Sequence, residues 1–584
     1  MSQPLDRRGM EADRRAFLRR ASRAAAVGVG TAAGLSPNIG ASTDGPVPAM
    51  RSPRNPFHHG SGSGGTENGA PPAPSAAVVA LNRMGFGPRP GDVAAFNALG
   101  GSDGQRMAAY VAQQLDPDSI DDSALDARVA AGGFTTTNKT LVQLWQDHVV
   151  ADPPYEERVR PLHETESLTF LRAIFSRKQL VEVLAEFWHN HFSIYGHEFS
   201  IAPIWMHYDR DVIRAHLLGN FRDMLVANAT SPQMLLYLDN YANSVDGPNE
   251  NYARELMELH TMGAENYLGV IPADEVPTEG GVPIGFVDED IFAATRALTG
   301  WTIRNRPWDD DFGNTGEFFY YAPWHDNDAK SFLGQDLPAN QAAMQDGLDL
   351  LDALASHPGT GRFIARKLCR RLLGDSPPDG LVASAAALFT AQKDHPEQLK
   401  QVVEHILLAP EFRSTWGDKI KRPFEVVTSA LRAAEGNFSF RLDDSETGTL
   451  MWLYSQTGHE LFDWKPPNGY PDFKTAWQST TPRVMSWRIC NWFVDNRDDS
   501  DVYLLDILGQ TPPGVRSANA LVDFWTDRVL GRPLEPSDRT ELVEFMAQGF
   551  LPDLDLPLDS DEAIQTRLRA LVGLIFMSPE FLWR

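Results

Sequence analysis

Residues 180–192 read Leu-Val-Glu-Val-Leu-Ala-Glu-Phe-Trp-His-Asn-His-Phe. The apolar side chains at 180, 184, 187 and 188 recur at three- and four-residue spacing, which lines one face of a helix. The same spacing returns over 210–226, 250–260, 289–299, 345–355, 361–373, 397–408 and 422–434. Period-two alternation is scarce. The aromatic run starting at Phe318 and the segment 282–287 are the strand candidates, and both are short. The expected fold is therefore mainly α: a large multi-helix domain over 76–584, with long loops and few or no short strands. Two helix ends echo each other, Ile406-Leu-Leu-Ala-Pro-Glu-Phe412 and Ile575-Phe-Met-Ser-Pro-Glu-Phe581. Proline drives the preceding residue out of the helical region, so both strings read as helix stops.

Composition narrows the function classes. The 584 residues carry a formal net charge of −26. Such a surface repels nucleic acid and anionic lipid, so neither is an expected partner. Aromatic residues make up 10%, too many for a disordered acidic chain. Two cysteines, Cys369 and Cys490, fit no zinc motif, and buried free thiols are the simplest reading.

The N-terminus reads as a signal peptide. Arg14-Arg15 precedes Phe17-Leu18, and a short, weakly apolar run extends from Ala24 to Leu35. An arginine pair ahead of such a run is similar to the twin-arginine signal, and it is too short to span a membrane. The boundaries expected are 1–41 for the signal and 42–75 for a flexible linker rich in Gly, Ser and Pro. The mature chain would then be exported to the periplasm or beyond. No later run of about 18 apolar residues occurs, so no integral membrane segment is expected after cleavage.

Three strings carry residues with chemistry. In the opening stretch, Glu182, Glu186 and His189 share a helical stripe. His191 lies about 200° round an ideal helix from His189, so it joins that stripe only if the helix frays after Asn190. The second string is Asn249-Glu-Asn-Tyr-Ala-Arg254-Glu255-Leu-Met-Glu258-Leu-His260-Thr-Met-Gly263, where Glu255 and Glu258 face the same way and Arg254 can pair with Glu258. His260 sits roughly opposite those glutamates unless the last turn unwinds. The third is the loop Trp324-His325-Asp326-Asn-Asp328-Ala-Lys330. Imidazole beside carboxylate suits a metal ion or a general base. The basic stretch Arg362, Arg366, Lys367, Arg370 and Arg371 is expected to pair with internal carboxylates. There is no P-loop, dinucleotide-binding glycine motif, nucleophile elbow or His-Glu-x-x-His string.

Taken together, Leu81-Asn-Arg-Met-Gly-Phe-Gly-Pro, Phe187-Trp-His-Asn-His-Phe192, Leu236-Tyr-Leu-Asp-Asn240, the Asn249–Thr261 string, Arg296-Ala-Leu-Thr-Gly-Trp301, His325-Asp326 and Phe363-Ile-Ala-Arg-Lys-Leu368 resemble the bacterial family called domain of unknown function 1800. The resemblance covers nearly all of the chain after residue 76. It implies a mainly helical, exported protein and names no reaction. It favours His191 over His189, because the family string is Phe-Trp-x-Asn-His-Phe. It also implies an exported, sulfatase-like partner protein. The chain departs from the family over 457–472, where a Gly-Trp-Pro core is replaced by a string containing Asn-Gly-Tyr-Pro-Asp472.

Two functions emerge as expectations. One is an exported metal-dependent enzyme, a hydrolase or an oxidoreductase, using a divalent ion. Its expected metal ligands are His191, Glu255, His260 and His325, with His260 either binding the ion or orienting another ligand. Glu258 and Asp326 are the expected acid–base residues. The other is a non-catalytic binding or assembly protein that works with an exported partner. The substrate is left open.

Overall fold

The centre of the molecule is built from helices that are buried on nearly every side. Of the helix Arg160–Phe175, only Arg160, His163 and Arg172 are not buried, and every residue of Pro423–Ala433 is buried. These two pack on one another, and the charged side chains they carry, among them Glu164, Glu166, Glu425 and Arg432, are buried with them. Phe170 stacks on Phe440 with centroids 5.3 Å apart and meets Phe424 and Tyr454 edge-on at 4.9 and 5.1 Å. Truncating a ring packed like this costs about 3–5 kcal/mol. Amphipathic helices surround this centre, among them Gln179–Phe192, Gln345–Ser356, Pro358–Leu372, Gln398–Leu408, Thr480–Asp495 and Glu562–Met577.

This is a computed structural model, and it describes residues 74–584 except 307, 308, 310 and 311. The described residues pack as one unit. The expected signal peptide (1–41) and nearly all of the expected linker (42–75) lie outside the described residues. Among the described residues, the Ser75 hydroxyl accepts from the Val78 amide to cap the first helix, Ala76–Arg83.

The fold is mainly α. Among the described residues, strands form three two-stranded sheets. The largest pairs Trp301–Arg306 with Gly313–Tyr320, antiparallel, with Ile303 opposite Phe318. The aromatic run at Phe318 is thus a strand, whereas its partner Trp301–Arg306 was not foreseen. Within 282–287, Val282–Pro283 pairs with Thr278–Glu279 and Phe286 bridges to Tyr267. A further hairpin joins Lys330–Phe332 to Gln335–Leu337. The two echoed strings behave alike: Ala409 and Ser578 leave the helical region, at ψ 142° and 152°, and a short helix restarts at the proline. Both cysteines are buried and free. Among the described residues, no helix is long and apolar enough to cross a membrane.

Two helix ends govern where the histidines and glutamates lie. The helix Gln179–Phe192 does not fray after Asn190. It runs intact to Phe192 and stops where Ser193 turns left-handed (φ 41°), which sends His189 and His191 to different surroundings. The helix Asn251–Glu255 widens into a π turn over Leu256–His260, and Gly263 (φ 92°) lies just beyond it.

Candidate functional site

Glu166 points inward from the buried helix Arg160–Phe175, a costly place for a carboxylate without a partner. The partner arrives from the turn after Phe192. The amide of Gly196 donates to the Phe462 carbonyl at 2.9 Å, and a Cβ at Gly196 would lie 3.0 Å from the Phe462 Cβ, a tight approach that a larger residue would push apart. His197, next in the chain, is thereby set against residues 460–462. Its Nε2 lies 3.1 Å from Glu166 Oε1 and 3.1 Å from the Leu461 carbonyl oxygen. Glu460 completes the group, its backbone carbonyl accepting from the Tyr470 hydroxyl at 2.8 Å. Ligand atoms of Glu166, His197 and Glu460 lie within 4.8 Å of one another. Among the described residues, no other trio of His, Cys, Asp or Glu comes this close.

The electrostatics of the trio are mutual. Burial, then the nearby Glu166 charge, pushes the Glu460 carboxyl up to about 7, with Asp463 adding to the rise and His197 opposing it. Burial works against a charged His197, but the Glu166 carboxylate, the Leu461 carbonyl and Glu460 outweigh it and hold the imidazole up to about 9. Tyr195 stacks beside His197 at 6.0 Å, its hydroxyl pushed up to about 12 by burial and by Asp463 and Glu460. Without an ion, His197 and Glu460 both hold their protons to higher pH than usual. With one, it offers an oxygen, nitrogen, oxygen ligand set of the kind zinc accepts.

Beside Glu460 lies a small cavity of about 50 Å³, lined among others by His189, Asn190, Trp464 and Tyr470. The loop that departs from the family string forms one wall. Asn190 clamps it, donating to the Tyr470 carbonyl at 2.9 Å and accepting from the Tyr470 amide at 2.7 Å. Gly469 (φ 75°) makes that approach possible, since a Cβ there would lie 2.2 Å from the Asn190 carbonyl oxygen.

The residues expected from the sequence are distributed differently. His189 lies 3.0 Å from buried Asp209, which also meets Arg172 at 3.1 Å and Arg214 at 2.9 Å; Arg214 in turn grips Glu182. Glu186 pairs with Arg422 at 2.6 Å and Arg371 at 3.0 Å. The basic stretch therefore does pair inward through Arg371, while Arg366 meets Glu265 at 3.2 Å. His191 and His260 are brought together, with ring centroids 6.2 Å apart. Glu255 is half-buried, and burial followed by the Glu258 charge raises its carboxyl above the usual range. Glu258 takes Arg254 at 3.4 Å. His325 is enclosed: Nδ1 is 2.9 Å from the Thr299 carbonyl oxygen and Nε2 3.3 Å from Asp346, which also holds the Lys330 ammonium at 2.6 Å. Asp326 accepts two bonds from Arg296, at 2.7 and 2.9 Å. None of the expected residues belongs to the Glu166–His197–Glu460 trio. Glu166 carried no distinguishing signal in the sequence, since Glu164 stands beside it on the same helix and is also buried. His197 and Glu460 stood in unpatterned loops, and only the fold joins them.

No curated protein and no solved structure matches the chain. The sequence model of the family described as "Protein of unknown function (DUF1800)" matches residues 79–583, and the chain belongs to that family.

Proposed function

We propose that this protein is an exported metal-dependent hydrolase whose divalent ion is held by Glu166, His197 and Glu460. The observation that carries the reading is the convergence of these three ligand atoms within 4.8 Å, next to a cavity. Three protein ligands leave a coordination position for water, and an ion there would draw the water's pKa towards neutrality and make hydroxide available as a nucleophile. Metal entry displaces the protons that His197 and Glu460 otherwise hold, so affinity rises with pH. The adjoining Trp464 and Tyr470 rings, centroids 4.7 Å apart, would shield the reacting centre from bulk water. Export rests on Arg14-Arg15 and the apolar run behind it.

One observation favours the rival reading of a non-catalytic binding protein. The 3.1 Å ion pair between His197 and Glu166 closes the 193–201 turn onto the central helix without any ion. Metal analysis separates the two. Protein purified without chelator should hold about one divalent ion per chain, and H197A and E460Q should each lose it. Metal-free wild type with no ion uptake would leave the ion pair as a structural clasp.

A further inference from the structure

A second polar cluster is buried where three helical segments meet. It comprises His191 near the end of Gln179–Phe192, His260 on the widened turn Leu256–His260, Tyr252 on Asn251–Glu255 and Lys367 on Pro358–Leu372. His191 is 1% exposed and His260 0%. The His260 ring centroid stands 6.2 Å from that of His191 and 6.4 Å from that of Tyr252. Four polar atoms here lack a hydrogen-bond partner: His191 Nδ1, both ring nitrogens of His260 and the Tyr252 hydroxyl. The Phe192 backbone lies beside the His260 ring but not in good hydrogen-bond geometry. Each such bond left unmade costs about 1–3 kcal/mol, so four together indicate an occupant.

The chemistry of the cluster selects among occupants. His191 Nε2 lies 3.1 Å from the His260 carbonyl oxygen. A carbonyl only accepts, so Nε2 carries the proton and Nδ1 presents a bare lone pair. An imidazole anchored through one nitrogen on a carbonyl, with the other free, is how metal-bound histidines are held. The charge of Lys367 acts on both rings. The lone pair disfavours an anion. The Lys367 ammonium, acting on both rings, disfavours a doubly charged ion, and among the described residues no third His, Cys or carboxylate completes a ligand set here. A singly charged ion satisfied by two imidazoles remains. Two metal–nitrogen bonds of about 2 Å each, with the ring radii added, suit centroids 6.2 Å apart.

We propose that His191 and His260 form a buried two-imidazole copper(I) site, separate from the Glu166 trio. The test loads the purified chain with copper(I) under anaerobic conditions and removes excess with a copper(I)-specific chelator. About one copper per chain should remain, with an X-ray absorption edge of low coordination number and imidazole scattering. E166Q and E460Q should keep it, while H191Q and H260Q should lose affinity by about tenfold or more. Copper held equally by H191Q, copper lost in E166Q, or wild type stripped completely by the chelator would each overturn the proposal. The last result would leave the cluster as a hydrated pocket. If H191Q fails to fold, the wild-type absorption spectrum decides alone, since an absence of imidazole scattering rejects the site.

Discussion

Glu166→Gln is expected to flatten the pH dependence of stability in the metal-free protein. His197 is ordinarily near 6.5 and stands at about 9 in the folded chain. That difference corresponds to about 3 kcal/mol, an upper figure because 20% of the side chain is in contact with water. The folded value is raised, so this contribution is complete below pH 6.5 and is lost as the pH climbs through 9. Glu460 is also raised, from 4.5 to about 7. Its charged form is disfavoured in the fold, so stability falls between those values as well. Both groups therefore make wild type weaken as pH rises. Replacing Glu166 removes the carboxylate that outweighs the burial of His197 and part of what raises Glu460, so both values should drop. Urea unfolding in chelator at pH 6.0 and 9.0 reads the effect. Wild type should lose about 2–3 kcal/mol across the interval and E166Q less than about 1. An E166Q slope equal to that of wild type would refute the coupling of these groups.

Neighbouring features carry their own expected outcomes. Asp209→Ala strands Arg172, Arg214 and His189 around a buried void, and should cost about 3–5 kcal/mol in thermal or urea unfolding. Gly469→Ala forces a left-handed alanine into the Asn190 carbonyl; ion affinity and Trp464 fluorescence should change while helical circular dichroism does not. Changing Arg14 and Arg15 together to lysine should hold the precursor in the cytoplasm, as fractionation would show, because the twin-arginine route reads the pair itself.

The helical architecture was legible because its signals are local. Ser75 caps a run of small apolar residues, and the prolines at 410 and 579 stop helices wherever they stand. The strand Trp301–Arg306 was not legible, since Gly300 reads as a helix end and the pairing partner lies beyond a loop. The site was harder still. Glu182 and Glu186 form the helical stripe that suggests a ligand face, yet arginines from distant segments, Arg214, Arg371 and Arg422, meet them. Arg214 is 32 residues from Glu182, and Arg422 is 236 from Glu186. No spacing rule reaches that far. His191 and His260 were both singled out by the sequence, and what the fold adds is their adjacency and the arginine- and lysine-bound fates of Asp326 and Asp346.

Whether Glu166, His197 and Glu460 hold a divalent ion is decided by metal content measured on matched samples. Wild type and the E166Q, H197A and E460Q variants would be purified without chelator, dialysed against one zinc solution at pH 7.5, and analysed by inductively coupled plasma mass spectrometry beside circular dichroism. The expected result is about one ion per wild-type chain and near none in each folded variant. Equal metal in wild type and variants, or none in any of them, would rule the site out.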